Sequence, residues 1–133
     1  MNLTLEIERN VTAALEEDMG SGDLTALLIA GDARAQARLI SRVDAVLCGS
    51  PWFDACFRRL DPKAHIAWRP HDGDAITAGQ TLCEIEGNAR ALLTGERTAL
   101  NFLQLLSAVA TVTRGYVEAV RGTRAAIVDT RKT

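Results

Sequence analysis

A long helical stretch, from Ala89 to about Thr111, places the strongest constraint on how this chain can fold. Its centre, Gly95–Leu106, is apolar on almost every side, and a helix of that kind is normally buried. Other elements must therefore cover it. The pattern allows either one helix or two helices that meet near Gly95, and it predicts a further helix over about 113–121.

One face of this stretch nevertheless carries a polar stripe. Its members stand four, three and seven residues apart, with Ala108 between the last two: Arg97, Asn101, Gln104 and Thr111. A polar group in a core needs a partner, because an unpaired buried charge is costly. Two interpretations stay open. Arg97 could form an internal salt bridge, for example with Asp18 or Glu86, or the face could line an anionic ligand site or a subunit interface.

The remaining elements follow from hydrophobic periodicity and turn residues. Residues 3–18 place Leu3, Ile7, Val11, Ala14 and Leu15 on one helical face. Pro51 fits the first turn of a helix that ends near Leu60 and is expected to bury Trp52, Ala55 and Cys56. Asn88 is a plausible cap for the long helix. Strands are predicted at 33–42, 45–49, 64–69, 81–86 and 125–129, and the segment 75–77 lies between two turns.

The last predicted strand leads directly into Asp129, Thr130, Arg131 and Lys132. In α/β folds, ligands bind just beyond the carboxyl ends of strands. Arg131 offers a planar fork for a carboxylate or phosphate, and Lys132 adds a mobile point charge. Thr130 can donate a hydroxyl hydrogen bond. The alternative is a basic, solvated chain end.

Composition excludes several classes of protein. Of 133 residues 47% are hydrophobic and 24% charged, as in ordinary globular proteins. No apolar run approaches the roughly 20 residues of a membrane span, and the N-terminal residues lack a signal-like pattern, so a cytoplasmic protein without membrane contact is expected. The acidic balance and 5% aromatic content give nucleic-acid binding little support. Cys48, Cys56 and Cys83 form no metal-binding spacing and are expected to be buried thiols.

Charge is unevenly distributed along the chain. Residues 1–88 carry 8 basic and 14 acidic side chains, a balance of −6, whereas residues 89–133 carry 7 and 3, a balance of +4. This asymmetry suggests two functional segments, or chance clustering on solvated helix faces. The change from a strand-rich section to helices near residues 108–112 is the predicted domain boundary.

Three segments, taken together, resemble quinolinate phosphoribosyltransferase, also called nicotinate-nucleotide pyrophosphorylase (carboxylating). Their order and spacing also match: Leu15-Glu16-Glu17-Asp18-Met19-Gly20-Ser21-Gly22-Asp23-Leu24-Thr25, Gly95-Glu96-Arg97-Thr98-Ala99-Leu100-Asn101-Phe102-Leu103 and Asp129-Thr130-Arg131-Lys132-Thr133. One departure is Ala108, where the family commonly has glycine. The added methyl lies on the polar face and does not by itself remove a ligand.

The resemblance implies an α+β fold in two parts. Residues 1–110 would form an N-terminal α/β sandwich domain that contributes to dimerisation and to the substrate site. Residues 111–133 would be the first helix and strand of a truncated α/β (TIM-like) barrel, the C-terminal phosphoribosyltransferase domain.

The implied enzyme converts quinolinate and phosphoribosyl pyrophosphate to nicotinate mononucleotide, pyrophosphate and carbon dioxide, with Mg²⁺ bound through phosphoribosyl pyrophosphate by groups outside this sequence. Arg97 would reach into the site of the neighbouring subunit of a homodimer, whereas Thr130, Arg131 and Lys132 would line the site of their own chain. No residue here is assigned to catalysis with certainty or to metal binding. The chain alone is expected to be inactive. The alternatives are a paralogous pyrophosphorylase-like protein with another substrate and a non-catalytic, dimer-forming interaction domain.

Overall fold

The computed structural model of the chain describes residues 2–20, 22 and 26–130. These residues form three helices and five strands, with a short 3₁₀ turn at Ala26–Leu28. In chain order the elements are α1 (Leu3–Met19), β1 (Arg34–Ile40), β2 (Ala45–Val46), α2 (Ser50–Leu60), β3 (His65–Trp68), β4 (Ala75–Ile76), β5 (Thr81–Asn88) and α3 (Ala89–Ala119). The predicted α+β class is confirmed at this level.

All strand pairing is antiparallel. The strand β5 lies in the centre of a three-stranded sheet, between β1 and β3, and β2 pairs with β4 in a separate two-stranded ribbon. Ile85 lies opposite Ala37 and Ile66, and Cys83 lies opposite Leu39 and Trp68. Because side chains alternate across a strand, this register directs Cys83 and Ile85 into the core, where both are buried.

The core is formed where α2 packs against α3 and the larger sheet. The ring of Phe53 packs edge-on against Phe57 and Trp68, with ring centroids 5.0 and 5.2 Å apart. The sequence predicted Trp52, Ala55 and Cys56 as the buried face of α2. Only Cys56 is fully buried, with Phe53 and Phe57, whereas Trp52 and Ala55 lie at its edge. The helix is rotated toward its two phenylalanines because they bury larger apolar areas.

The helix α3 is continuous over 31 residues. Asn88 caps its start, since the side-chain oxygen accepts a hydrogen bond from Ala91 N at 3.1 Å. This hydrogen bond confirms the predicted cap. Of the two arrangements that the sequence allowed, the structure has the single helix. It runs through Gly95, where the alternative arrangement has two helices meet, and it also covers most of the separate helix expected over 113–121.

Two predicted strands differ from the structure. The stretch 45–49 is a regular strand only over Ala45–Val46. Leu47 still exchanges backbone hydrogen bonds with Gly73 and Asp74, and the backbone then turns at Gly49 to enter α2. Residues 125–129 form no strand; Ile127 and Val128 are 44% and 75% exposed. A strand needs a neighbour for its N–H and C=O groups, and no described segment lies beside this one. The start of a barrel is therefore not confirmed, and the domain boundary near residue 110 stays a prediction.

The three cysteines are free thiols, and Cys56 and Cys83 are buried, as predicted. Burial raises the pKa of each of these two thiols to about 12, so they are neutral at physiological pH. Cys48 lies at intermediate depth. Among the described residues, none of the helices has both the length and the apolar character needed to traverse a bilayer.

Candidate functional site

A groove of about 410 Å³ lies between the C-terminal half of α1 and the middle of α3. It contains residues of two of the segments that resemble the phosphoribosyltransferase family, brought together from about 80 residues apart in sequence. The groove is lined by Ala14, Glu17 and Asp18 of α1 and by Thr98, Asn101, Phe102 and Leu105 of α3. Among these residues the polar Thr98 is buried, whereas the apolar Leu105 is 65% exposed.

Arg97 lies at the edge of this groove and forms an ion pair across it. Its Nη1 is 3.3 Å from Oδ1 of Asp18, and the Thr98 hydroxyl donates a hydrogen bond to Oδ2 of the same carboxylate at 3.3 Å. Thr98 is buried. The Arg97 side chain is 78% exposed, against 23% for Asp18. The predicted salt bridge with Asp18 is therefore present, yet most of the guanidinium remains accessible to a ligand.

Close packing of α3 against α2 fixes the position of Arg97. Gly95, two residues earlier, faces Leu60 and Phe57, and a Cβ built there would lie 3.0 and 3.2 Å from their side chains. Only glycine allows this approach without a shift of its neighbours. The glycine thus holds the first turns of α3 against the core and sets where Arg97 leaves the helix.

The expectation that α3 is buried on nearly all sides is wrong for its outer face. Arg97, Asn101, Gln104 and Ala108 are all exposed, because α2, α1 and the sheets cover one side of the helix only. Thr111 faces a different neighbour. Its hydroxyl accepts a hydrogen bond from Val46 N at 2.9 Å, so it belongs to the packing of α3 on β2.

Ser107 and Thr111 form a contact that periodicity did not reveal. The Ser107 hydroxyl accepts from Cys48 N at 3.0 Å and lies 3.1 Å from Cys48 O, to which it donates. Two hydroxyls that lie four residues apart on α3 thus bind the chain at β2 and just after it. Thr111 binds the backbone of Val46, and Ser107 binds the backbone of Cys48. The closest sequence signal was the pair of small hydroxyl residues on an otherwise apolar helix.

The predicted second part of the site is not assembled in the described chain. Thr130 is exposed, and no hydrogen bond or ion pair joins it to Arg97 among the described residues. Arg131 and Lys132 lie outside the residues that the structure describes. The structure therefore positions Arg97, while the placement of the other three predicted substrate-binding residues stays a prediction.

Comparison with known proteins agrees with this architecture. Residues 23–107 match the model of the family "Quinolinate phosphoribosyl transferase, N-terminal domain". This chain belongs to that family. Among curated relatives, a Synechocystis protein named probable nicotinate-nucleotide pyrophosphorylase (carboxylating) is 40% identical over 119 residues, covering 90% of the chain and 40% of the relative. The chloroplastic nicotinate-nucleotide pyrophosphorylase of Oryza sativa subsp. japonica is 34% identical over 132 residues, covering 98% of the chain and 35% of the relative.

Solved structures of the same family have the same fold. The nicotinate-nucleotide pyrophosphorylase of Francisella tularensis superposes with a TM-score of 0.91 at 37% identity, over 98% of this chain and 47% of that one. NadC from Streptococcus pyogenes gives 0.91 at 38% identity, over 97% and 46%. The chain thus spans less than half the length of these relatives.

Proposed function

We propose that the protein carrying this chain is a quinolinate phosphoribosyltransferase, which joins quinolinate to phosphoribosyl pyrophosphate and releases pyrophosphate and carbon dioxide to give nicotinate mononucleotide. The observation that carries the proposal is family membership, together with the superposition of 98% of this chain on 47% of a solved nicotinate-nucleotide pyrophosphorylase. Relatives in Synechocystis and Oryza sativa bear the same enzyme name. We also propose that this protein is located in the cytoplasm.

In this proposal Arg97 binds a carboxylate of quinolinate. Quinolinate is a dicarboxylate, and removing it from water requires fixed, charged donors. The exposed guanidinium of Arg97 is such a donor, and its Nη1 is paired with the carboxylate of Asp18. Arg131 and Lys132, with Thr130, would supply the remaining donors.

We place Arg97 in the site of the neighbouring subunit of a homodimer. Two features support this placement. Its side chain is 78% exposed, so one copy of this chain leaves most of it open to solvent. An adjacent stripe of α3 also leaves large apolar side chains exposed, namely Leu105, Val109, Val112 and Tyr116. An uncovered apolar stripe of this kind usually contacts another surface.

Magnesium fits this chain only through its substrate. Among the described residues, no group of three histidine, cysteine, aspartate or glutamate side chains could hold a metal ion. Mg²⁺ is proposed to arrive with phosphoribosyl pyrophosphate and to bind groups outside this sequence. We assign no step of the reaction here to the metal.

The test is Arg97→Ala in the full-length protein that carries this chain. Loss of a charged hydrogen-bond partner costs about 1.5–3 kcal/mol, so the KM for quinolinate should rise about ten- to a hundredfold. The rate of carbon dioxide release at a series of quinolinate concentrations measures this KM. Arg9→Ala is a matched control, because Arg9 is 76% exposed and also makes one ion pair, at 3.1 Å to Glu6.

Arg9→Ala should leave the KM unchanged. An Arg97→Ala protein that unfolds more easily but keeps the parental KM would show that the Asp18 ion pair is purely structural. A folded parent protein without activity on quinolinate would favour a paralogous pyrophosphorylase or a non-catalytic interaction domain.

A further inference from the structure

The last turn of α1 breaks a general rule of helix electrostatics. It carries three consecutive acids, Glu16, Glu17 and Asp18, and no basic residue. The C-terminal end of a helix has a partial negative charge, which acidic side chains there oppose. Residues that break a local rule without a structural benefit often serve a site. Of the three acids, Asp18 is the one that contacts Arg97.

Asp18 is the fixed member of this ion pair. Its helix is anchored by Val11 and Leu15, which are 1% and 3% exposed, and the buried Thr98 hydroxyl bonds its Oδ2. Arg97 has a long, flexible and largely exposed side chain. The place where the guanidinium rests is therefore set by Asp18 and not by the arginine.

The contact leaves part of the guanidinium free. The ion pair with Asp18 is formed by Nη1, and Nε and Nη2 donate no hydrogen bond within the described part of the chain. Arginine has five N–H donors in a planar fork, and the Nε–Nη2 edge can bind both oxygens of a carboxylate. Asp18 and a dicarboxylate substrate can thus contact opposite sides of the same group.

We propose that Asp18 is a positioning residue, which holds the Arg97 guanidinium in the orientation that presents its free edge to a substrate carboxylate. Restricting the side chain before binding lowers the conformational entropy that binding would otherwise cost. The inference rests on the proposed role of Arg97 and adds a residue to that site.

The test compares Asp18→Ala with Glu17→Ala in the full-length protein. Both remove one negative charge from the same helical turn and the same groove, but Glu17 does not contact Arg97. Simple charge repulsion predicts that either change lowers the KM for the anionic quinolinate. Positioning predicts the opposite for Asp18→Ala alone. Its KM for quinolinate should rise about two- to fivefold, as for loss of one partly exposed ion pair.

Three further readouts separate positioning from a purely structural role. The KM for phosphoribosyl pyrophosphate should be unchanged in Asp18→Ala. Asp18→Asn, which keeps an oxygen for the Thr98 hydroxyl but loses the charge, should give an intermediate KM for quinolinate. In an Arg97→Ala background, adding Asp18→Ala should have no further effect, because the group that it positions is gone.

An Asp18→Ala protein with lower thermal stability and the parental KM for quinolinate would overturn the inference, as would one with a lower KM. If Arg97→Ala raises that KM and Asp18→Ala does not, this inference alone fails. If Arg97→Ala itself leaves the KM unchanged, the proposed role of Arg97 fails as well. Comparison of the parent with Arg97→Ala and Asp18→Ala thus distinguishes the two failures.

Discussion

Asp61 shows how a single side chain can join distant parts of this fold. Its carboxylate accepts hydrogen bonds from Asn88 N at 2.8 Å and from Lys63 N at 2.9 Å. The first of these bonds ties the end of α2 to the junction of β5 and α3. These two backbone donors, the Asn88 bond first, hold the pKa of Asp61 below its usual value of 3.8, because they stabilise the charged form.

This lowered pKa predicts a pH dependence of stability. A carboxylate with a depressed folded pKa contributes stability above its unfolded pKa, and that stability is lost as the pH falls through the folded pKa. Asp61→Asn should therefore unfold at lower urea concentration than the parent from about pH 5 to pH 7, and the gap should narrow below about pH 4. Glu8→Gln is the control, because Glu8 is exposed and its carboxylate accepts no hydrogen bond within the described residues. A gap that stays constant down to pH 2 would contradict the pKa assignment.

At the residue scale, sequence predicted local roles well and distant partners poorly. Asn88 was predicted as a cap from its position before an apolar helix, and its side chain does bond Ala91 N. The same Asn88 also donates to Gly31 O at 2.7 Å, across 57 residues of sequence. Such pairings depend on the assembled fold, and no short-range pattern records them. The Ser107 bonds to Cys48 were missed for this reason.

At the scale of elements, the long helix α3 shows how packing can override local propensity. Glycine within a helix costs about 1 kcal/mol relative to alanine, which is why Gly95 suggested a break. The helix passes through it because Phe57 and Leu60 of α2 occupy the space that a side chain would need. Propensity and packing oppose each other at this position, and only the structure shows that packing determines the outcome.

Two glycines of α3 therefore give a matched test. A Cβ at Gly95 would meet Leu60 and Phe57 at 3.0 and 3.2 Å, whereas one at Gly115 would meet nothing within 4 Å. Gly115→Ala should stabilise the protein by about 0.5–1 kcal/mol. Gly95→Ala should destabilise it, because overpacking costs about 1–3 kcal/mol and outweighs the same gain in propensity. Urea unfolding of the two variants measures the change in the free energy of unfolding for each. A stabilising effect of Gly95→Ala would refute the packing argument.

At the scale of the whole molecule, the sequence predicted the α+β class but not which faces stay uncovered. Apolar content around α3 suggested full burial, yet Leu105, Val109, Val112 and Tyr116 are exposed. An apolar pattern predicts that a surface is covered, but it does not predict which element or which other chain covers it. The predicted strand at 125–129 fails for a related reason, since an apolar run becomes a strand only beside a partner. In both cases the prediction fails at an apolar surface that the described residues of one copy of this chain leave exposed.

The proposal that Arg97 acts in the neighbouring subunit predicts complementation between inactive variants. In the full-length protein, Arg97→Ala and Arg131→Ala should each lose most of their activity. After joint refolding, a mixed dimer would contain one site with both arginines intact, because Arg131 comes from one subunit and Arg97 from the other. With random pairing, half of the dimers are mixed and each has one working site, so about a quarter of the parental sites should recover.

Carbon dioxide release from the mixture, compared with each variant refolded alone, measures this recovery. Mixing Arg97→Ala with the parent controls for the yield of refolding, because half of the sites in that mixture stay intact whether or not the subunits exchange. If Arg97 served its own chain, every site in the mixture of the two variants would lack one arginine, and no activity would return. Recovery to about a quarter in that mixture therefore requires a site built from two chains, which the solvent-facing guanidinium of Arg97 is placed to complete.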